Sequence, residues 1–165
     1  MRILILIVSF ILDSIVSNFF PINSLFLACF SLMAIVFVYP LFKGDKKSYY
    51  ISAFCLGLAY DLIYTDTVIF QAVVFLFMAY LTTKLGKTLS DNYMTVIITA
   101  IICVIIYRSL WFFSLVLTGN ISFNIENYFA SIYRSLILNI IYALIISMIV
   151  KLTNKRKTRR SRRLI

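Results

Sequence analysis

The chain has 165 residues, of which 62% are hydrophobic and only 13% are charged, and its formal net charge is +10. Soluble domains carry about 45–50% apolar and about 25% charged residues, so this composition excludes a water-soluble fold of the same length. At about 20 residues per spanning helix, the chain accommodates five or six membrane spans and no separate globular domain.

The long apolar runs predict an all-α integral membrane bundle of about six transmembrane helices. In lipid every backbone polar group must be hydrogen-bonded internally, and a β-barrel would show short alternating segments instead. The predicted spans, which together form one transmembrane domain over 1–150, are 3–20, 22–42, 49–64, 68–83, 93–117 and 127–150. Residues 151–165 follow as a polybasic tail.

The apolar run after Met1 and Arg2 resembles a secretory signal at first sight. Asp13 interrupts it, and no small-x-small cleavage site follows. A signal peptide needs an uninterrupted apolar region and small residues after it. We therefore expect the first helix to be retained in the protein.

The connections between the predicted spans alternate strictly in charge. Those at 43–47 and 84–92, like the tail, are basic, whereas those at 19–23, 65–67 and 118–126 contain no Lys or Arg. By the positive-inside rule, this pattern predicts an even number of spans with both termini in the cytoplasm. A five-span arrangement that merged the third and fourth spans would break the alternation.

The tail holds eight of the sixteen basic residues of the chain and no acidic residue. These residues are Lys151, Lys155, Arg156, Lys157, Arg159, Arg160, Arg162 and Arg163. We expect them to bind anionic lipid headgroups, each contributing about 1 kcal/mol near the membrane surface. An acidic protein or nucleic acid is the alternative, because a polybasic run alone does not choose among polyanions. Of these, we expect no nucleic acid partner.

Four ionisable residues lie inside the predicted spans: Asp13, Asp61, Arg108 and Arg134. A charge in hydrocarbon costs about 2.5–3.5 kcal/mol on insertion scales, so each needs a compensating partner. At 1.5 Å of rise per residue, all four fall at a similar depth. We predict a mutually paired polar cluster in the bundle interior. It either holds helices together or lines a polar, proton-linked path.

Small residues at helical spacing predict which helix faces pack together. Ala53, Gly57 and Asp61 share one face of the third span, and Ser131, Ser135 and Asn139 share one face of the sixth. Small residues let helix backbones approach, so these faces are predicted to form the interior. The second span is dominated by Phe, Leu, Ile and Val, and we expect it to face lipid or a partner's helix.

The sequence contains few side chains that could bind a metal ion or act in catalysis. The chain has no histidine, and its three cysteines lie in different apolar runs, which favours free thiols. The cysteine spacing matches no metal-ligand set, so neither a metal nor a cofactor is expected. No nucleophile and base, phosphate loop or catalytic carboxylate pair can be assembled from such short loops. The sequence therefore does not predict an enzyme.

Two segments resemble the rod shape-determining protein MreD family. Gly57-Leu-Ala-Tyr-Asp61-Leu-Ile-Tyr64 is similar to that family's glycine-led G-L-x-x-D pattern in the third span. Asp13-Ser-Ile-Val-Ser-Asn-Phe-Phe-Pro21 is similar to the end of its first span. One departure is Thr65-Asp66-Thr67, which stands where the family often has a glycine.

The resemblance implies a non-enzymatic scaffold subunit of the bacterial cell-elongation machinery. Its implied partners are an MreC-like bitopic protein, the MreB filaments and peptidoglycan synthases. The family also looks like the substrate-binding subunits of energy-coupling-factor vitamin transporters, and such a subunit is the alternative. Against it, the first span lacks alanine and most outer connections are only a few residues long. A proton-linked carrier would rest on the four charges alone.

Overall fold

The structure is a computed structural model that describes residues 2–19, 29–42, 45–64, 69–88 and 93–161. Within these ranges, side chains are described except at 17–18, 87–88, 93–96, 137–138 and 147–161. The described chain is all-α, with six α-helices and one short 3₁₀ turn. In chain order these are α1 (Arg2–Phe19), α2 (Phe30–Val38), the 3₁₀ turn (Tyr39–Phe42), α3 (Lys46–Tyr64), α4 (Phe70–Thr88), α5 (Tyr93–Leu117) and α6 (Ile125–Ser161).

Several helix ends follow directly from the local sequence. Asp45 accepts the backbone N–H of Ser48 at 3.0 Å and starts α3, and Asn124 accepts that of Glu126 at 2.9 Å and starts α6. Such side chains satisfy amides that have no partner within the helix. Pro40 has no N–H for a further α-helical turn, and α2 tightens into the 3₁₀ turn there. α5 ends at Leu117, and Gly119, two residues later, has a φ of 74°, which suits a left-handed position after a helix.

α2 is the central helix of the bundle. It contacts α1, α4, α5 and α6, while α3 packs along α4 and α5 along α6. All nine of its residues are buried, including Phe30, Phe37 and Met33. A helix that is apolar all round is the one that has neighbours on every side.

The expectation that the second span faces lipid or a partner's helix is therefore wrong. Its large apolar side chains fill the core instead, and the lipid-facing side chains come from the surrounding helices. In α1 these include Ile3, Ile7 and Ile11, each at least half exposed. Leu and Phe are equally suited to lipid and to a protein core, so composition alone does not separate the two.

Two helix segments, Ile97–Leu117 and Ile125–Ile146, are long and apolar enough to cross a membrane by themselves. Shorter apolar helices cover Phe30–Phe42 and Phe70–Gly86. The predicted spans start and end within a few residues of most helices. The second differs most, because the helix begins only at Phe30 and residues 22–28 lie outside the described part. The sixth differs too, since α6 continues past residue 150 to Ser161.

Candidate polar centre in the membrane

The start of α2 is held by a carboxylate from α1. Asp13 is 2% exposed, and its two oxygens accept the backbone N–H groups of Phe30 at 2.7 Å and Ser31 at 2.8 Å. These are the first amides of α2, which have no acceptor within the helix. Asp13 lies about 16 Å along α1 from Arg2, so α2 begins inside the bundle.

A third amide at the same place is bound from α6. The N–H of Cys29 donates to Asn139 Oδ1 at 3.0 Å, and Asn139 Nδ2 donates to the carbonyl oxygen of Ser135 at 2.6 Å and to its hydroxyl at 3.0 Å. Ser135 and Asn139 are one turn apart on α6 and both fully buried. The start of α2 therefore joins α1 to α6, two helices at opposite ends of the sequence.

The start of α4 is held in the same way by α3. Asp61 is 3% exposed and accepts the backbone N–H groups of Gln71 and Ala72, each at 3.0 Å. Two consecutive amides again share one carboxylate. Asp61 lies about 22 Å along α3 from Lys46, close to the end of that helix, so the start of α4 packs against the last turns of α3.

Gly57 makes the second arrangement possible. It lies one turn before Asp61, and a Cβ built on it would be 2.5 Å from Ala72 Cα and 2.7 Å from the carbonyl oxygen of Gln71. Real Cβ atoms do not approach backbone so closely. The missing side chain lets α3 touch the first turn of α4, where Asp61 reaches the amides.

Both carboxylates suit helix starts in lipid for the same physical reasons. An amide without an acceptor in hydrocarbon costs several kcal/mol, and no water is present to replace the missing bond. The aligned peptide dipoles also give the helix start a partial positive charge of about half a unit. A carboxylate therefore satisfies two donors and is itself stabilised by the field.

The two arginines of the predicted cluster occupy different surroundings. Arg108 is 8% exposed and interacts electrostatically with Asp13, and its guanidinium lies 5.8 Å from the ring centre of Tyr107. The Tyr107 hydroxyl donates to Gln71 Oε1 at 3.3 Å, beside the start of α4. Arg134 is half-buried on α6, and no hydrogen bond or ion pair joins it to the described residues.

The structure thus brings Asp13 and Arg108 together, while the hydrogen bonds described for both carboxylates go to backbone amides. Ala53 and Gly57 are buried on α3, and Gly57 lies against the start of α4. Mutual pairing among all four charges stays a prediction. The side chains of the tail, from Lys151 to Arg163, lie outside the described part.

Sequence reasoning placed Asn139 on an interior face but did not predict that it binds the start of α2. It passed over Gln71, although a lone amide in the apolar run of α4 is itself a signal. It also missed the bond between the hydroxyls of Ser9 and Tyr142, which joins α1 to α6.

The centre can hold helices, and its polar atoms are arranged for that task. The hydrogen bonds described for Asp13, for Asp61 and for Asn139 Oδ1 go to backbone amides of this chain. Among the residues described, no group of three His, Cys, Asp or Glu side chains could hold a metal ion.

Comparison with known proteins gives one match. A family model described as rod shape-determining protein MreD matches residues 1–156, which is nearly the whole chain. No curated protein and no solved structure matches it.

Proposed function

We propose that this chain, which belongs to the MreD family of rod shape-determining proteins, acts as a passive scaffold that positions partner helices in the membrane. The family consists of non-enzymatic, multi-pass membrane proteins of the elongation machinery. The proposal concerns how this member works and what it touches.

The observation that carries the proposal is the use of the intramembrane polar groups. Asp13, Asp61 and Asn139 bind the first amides of α2 and α4. A carrier needs polar groups that exchange partners, whereas a scaffold needs groups that fix helices in place. The arrangement favours a rigid frame whose outer surface does the work.

The proposed partners are an MreC-like bitopic protein and, through it, MreB filaments and peptidoglycan synthases. Since α2 is enclosed, partner helices have to contact the exposed faces of the surrounding helices. Exposed large side chains on these faces include Ile7 and Ile11 of α1 and Phe77 and Tyr80 of α4. Anionic lipids are the proposed partners of the tail, because half of the basic residues lie there.

Photo-crosslinking in cells tests the scaffold. Photo-reactive residues at Ile7, Ile11 and Phe77 are expected to capture membrane proteins of the elongation machinery. The same residue at Met33, which is fully buried in α2, is the matched control and is expected to capture none. Capture of lipid alone at every exposed position, together with tight binding of a vitamin by the purified protein, would replace the scaffold with the transporter subunit.

We also propose that both termini are cytoplasmic. Arg2, the 3₁₀ turn and Lys84 belong to one end of the bundle: the Arg2 guanidinium lies 4.8 Å from the Phe42 ring centre, and Gly86 lies against Tyr39. The positive-inside rule places such an end in the cytoplasm. Reporter fusions at residue 165 and between residues 118 and 124 are expected to report opposite sides. A tail accessible from outside intact cells would reverse the orientation.

A further inference from the structure

A line of polar residues runs along α6 from its first turn to the polar centre. It consists of Asn127, Ser131, Arg134, Ser135 and Asn139. Asn127, Ser131, Ser135 and Asn139 recur every four residues, and Arg134 is three residues after Ser131, so these side chains lie on one broad side of the helix. The inner end of the line binds the start of α2, as described above. The outer end, at Asn127, is exposed.

Arg134 lies in the middle of this line and needs an acceptor. It is nine residues after Ile125, the first residue of α6, or about 14 Å along the helix axis. It is half-buried and makes no hydrogen bond or ion pair with the described residues. The oxygens of Asp13 and Asp61 are bonded to backbone amides elsewhere. A charge at this depth is costly until it reaches a polar partner.

The direction of the side chain decides which partner it reaches. Helix side chains lean toward the helix N-terminus, so Arg134 leans toward the end of the bundle where α6 begins. Ala130 and Ser131, one turn nearer that end, are small and leave room along the helix. Long basic side chains use such a path to bring their charge to the headgroup level.

Exposed aromatic side chains mark the headgroup level at the same end. They are Phe113, Phe123 and Phe129, which are 48 to 64% exposed. Aromatic rings are enriched at membrane interfaces, where an apolar body meets a polar boundary. At this boundary every phospholipid presents a phosphate, which can accept hydrogen bonds from an arginine.

We propose that Arg134, with the Ser131 hydroxyl and the Asn127 amide beside it, binds the phosphate of a phospholipid headgroup in the leaflet next to the start of α6. The planar guanidinium offers two parallel N–H donors that match two phosphate oxygens. The bound lipid fixes the depth of α6 and, through Asn139, of the helix start that α6 holds. This site depends on α6 spanning the membrane and is independent of which side the termini face.

Native mass spectrometry of the full-length protein in detergent tests the site. The protein is titrated with phosphatidylglycerol, with diacylglycerol, which lacks the phosphate, and with inorganic phosphate alone. Three proteins are compared: wild type, Arg134→Gln and Lys47→Gln. The last variant loses the same charge at the opposite end of the bundle, so it controls for net charge.

Beside the lipids held by the polybasic tail, wild type and Lys47→Gln are expected to retain one further phosphatidylglycerol with equal affinity, and Arg134→Gln to bind that lipid about tenfold or more weakly, because charge-assisted bonds are lost. Diacylglycerol is expected not to be retained. If Arg134→Gln does not purify as a monodisperse protein, Arg134→Lys, which keeps the charge but not the fork, and Ser131→Ala are expected to show a smaller weakening.

Three results would overturn the proposal. The first is equal phosphatidylglycerol binding by wild type and all Arg134 and Ser131 variants. The second is retention of diacylglycerol as strong as that of phosphatidylglycerol. The third is full displacement of the lipid by millimolar inorganic phosphate, which would assign the site to the free ion.

Discussion

The starts of α2 and α4 both bury backbone amides that need hydrogen-bond acceptors, and the two helices obtain these acceptors in different ways. In each, a carboxylate from the preceding helix accepts hydrogen bonds from two consecutive buried backbone amides. At α4 the carboxylate reaches them because Gly57 allows backbone contact between neighbouring helices. At α2 a second side chain, Asn139, arrives from the far end of the sequence. The start of α4 thus depends on close packing between two neighbouring helices. The start of α2 depends in addition on a contact with a helix that is distant in the sequence.

The largest effect on stability is expected from the removal of either carboxylate. Asp61→Ala and Asp13→Ala each leave two buried amides without acceptors. Every such amide lowers the free energy of unfolding by about 1–3 kcal/mol. Either loss is a large part of an ordinary folding free energy of about 5–15 kcal/mol. Thermal unfolding followed by size-exclusion fluorescence is expected to show a lower folded yield and midpoint for both variants.

Asp66→Ala is the control for the carboxylates. Asp66 lies in the connection between α3 and α4, outside the described residues, where the sequence predicts that water solvates it. It is expected to behave as wild type in unfolding and in supporting rod shape. If Asp61→Ala were tolerated as well as Asp66→Ala, the Asp61 carboxylate would not be needed to stabilise the start of α4.

A slightly smaller effect is expected at Gly57. Gly57→Ala places a methyl group 2.5 Å from Ala72 Cα, so the backbones of α3 and α4 have to separate and the bonds to Asp61 lengthen. Overpacking of this kind costs about 1–3 kcal/mol. In a double-mutant cycle, Gly57→Ala and Asp61→Ala are expected to be strongly non-additive, because both act on one contact.

Gly86→Ala is the matched glycine control. Its added Cβ would meet the ring of Tyr39 at 3.0 Å, and a side chain can turn aside where a backbone cannot. The unfolding midpoint is expected to change little. A loss as large as that of Gly57→Ala would show that close backbone approach is not what distinguishes Gly57.

Asn139→Leu sharpens the comparison because, of the two helix starts, it acts on that of α2. It removes the acceptor of one amide, Cys29 N–H, at a cost of about 1–3 kcal/mol. Maleimide labelling of Cys29 is expected to accelerate. Cys103, a buried thiol in α5, is the internal control and is expected to react as before. Equal acceleration at both thiols would indicate general loosening.

The smallest effect is expected at the start of α3, outside the membrane. The hydroxyl and the backbone amide of Ser48 hold the pKa of Asp45 below its usual range. Because the folded pKa is lowered, the ionised cap stabilises the protein above the ordinary value of about 3.9 and is lost as the pH falls through the folded pKa. Unfolding midpoints of wild type and Asp45→Asn, which caps at any pH, are expected to converge in acid. A gap that widens in acid would contradict this.

The sequence was sufficient for the helical class, for the approximate bounds of most helices and for selecting Asp13, Asp61 and Arg108, which are buried. It was not sufficient for what those residues bind. Asp13 and Asp61 bind backbone amides, which are the same for every residue type and leave no pattern to read. The spacing of Gly57 and Asp61 was the readable trace of one such contact. The place of α2 was mispredicted because lipid and a protein core select the same side chains.

The contact between Cys29 and Asn139 has a consequence for the order in which the protein assembles during synthesis. Asp61 lies ten residues before the first amide that it binds, so its contact can form as soon as α4 emerges. Asn139 follows Cys29 by 110 residues. At about 5–20 residues per second, the ribosome needs about 6–22 s to reach it. During that interval the Cys29 amide at the start of α2 lacks its acceptor. The contacts that hold α1 and α2 together there are therefore complete only after α6 has been synthesised.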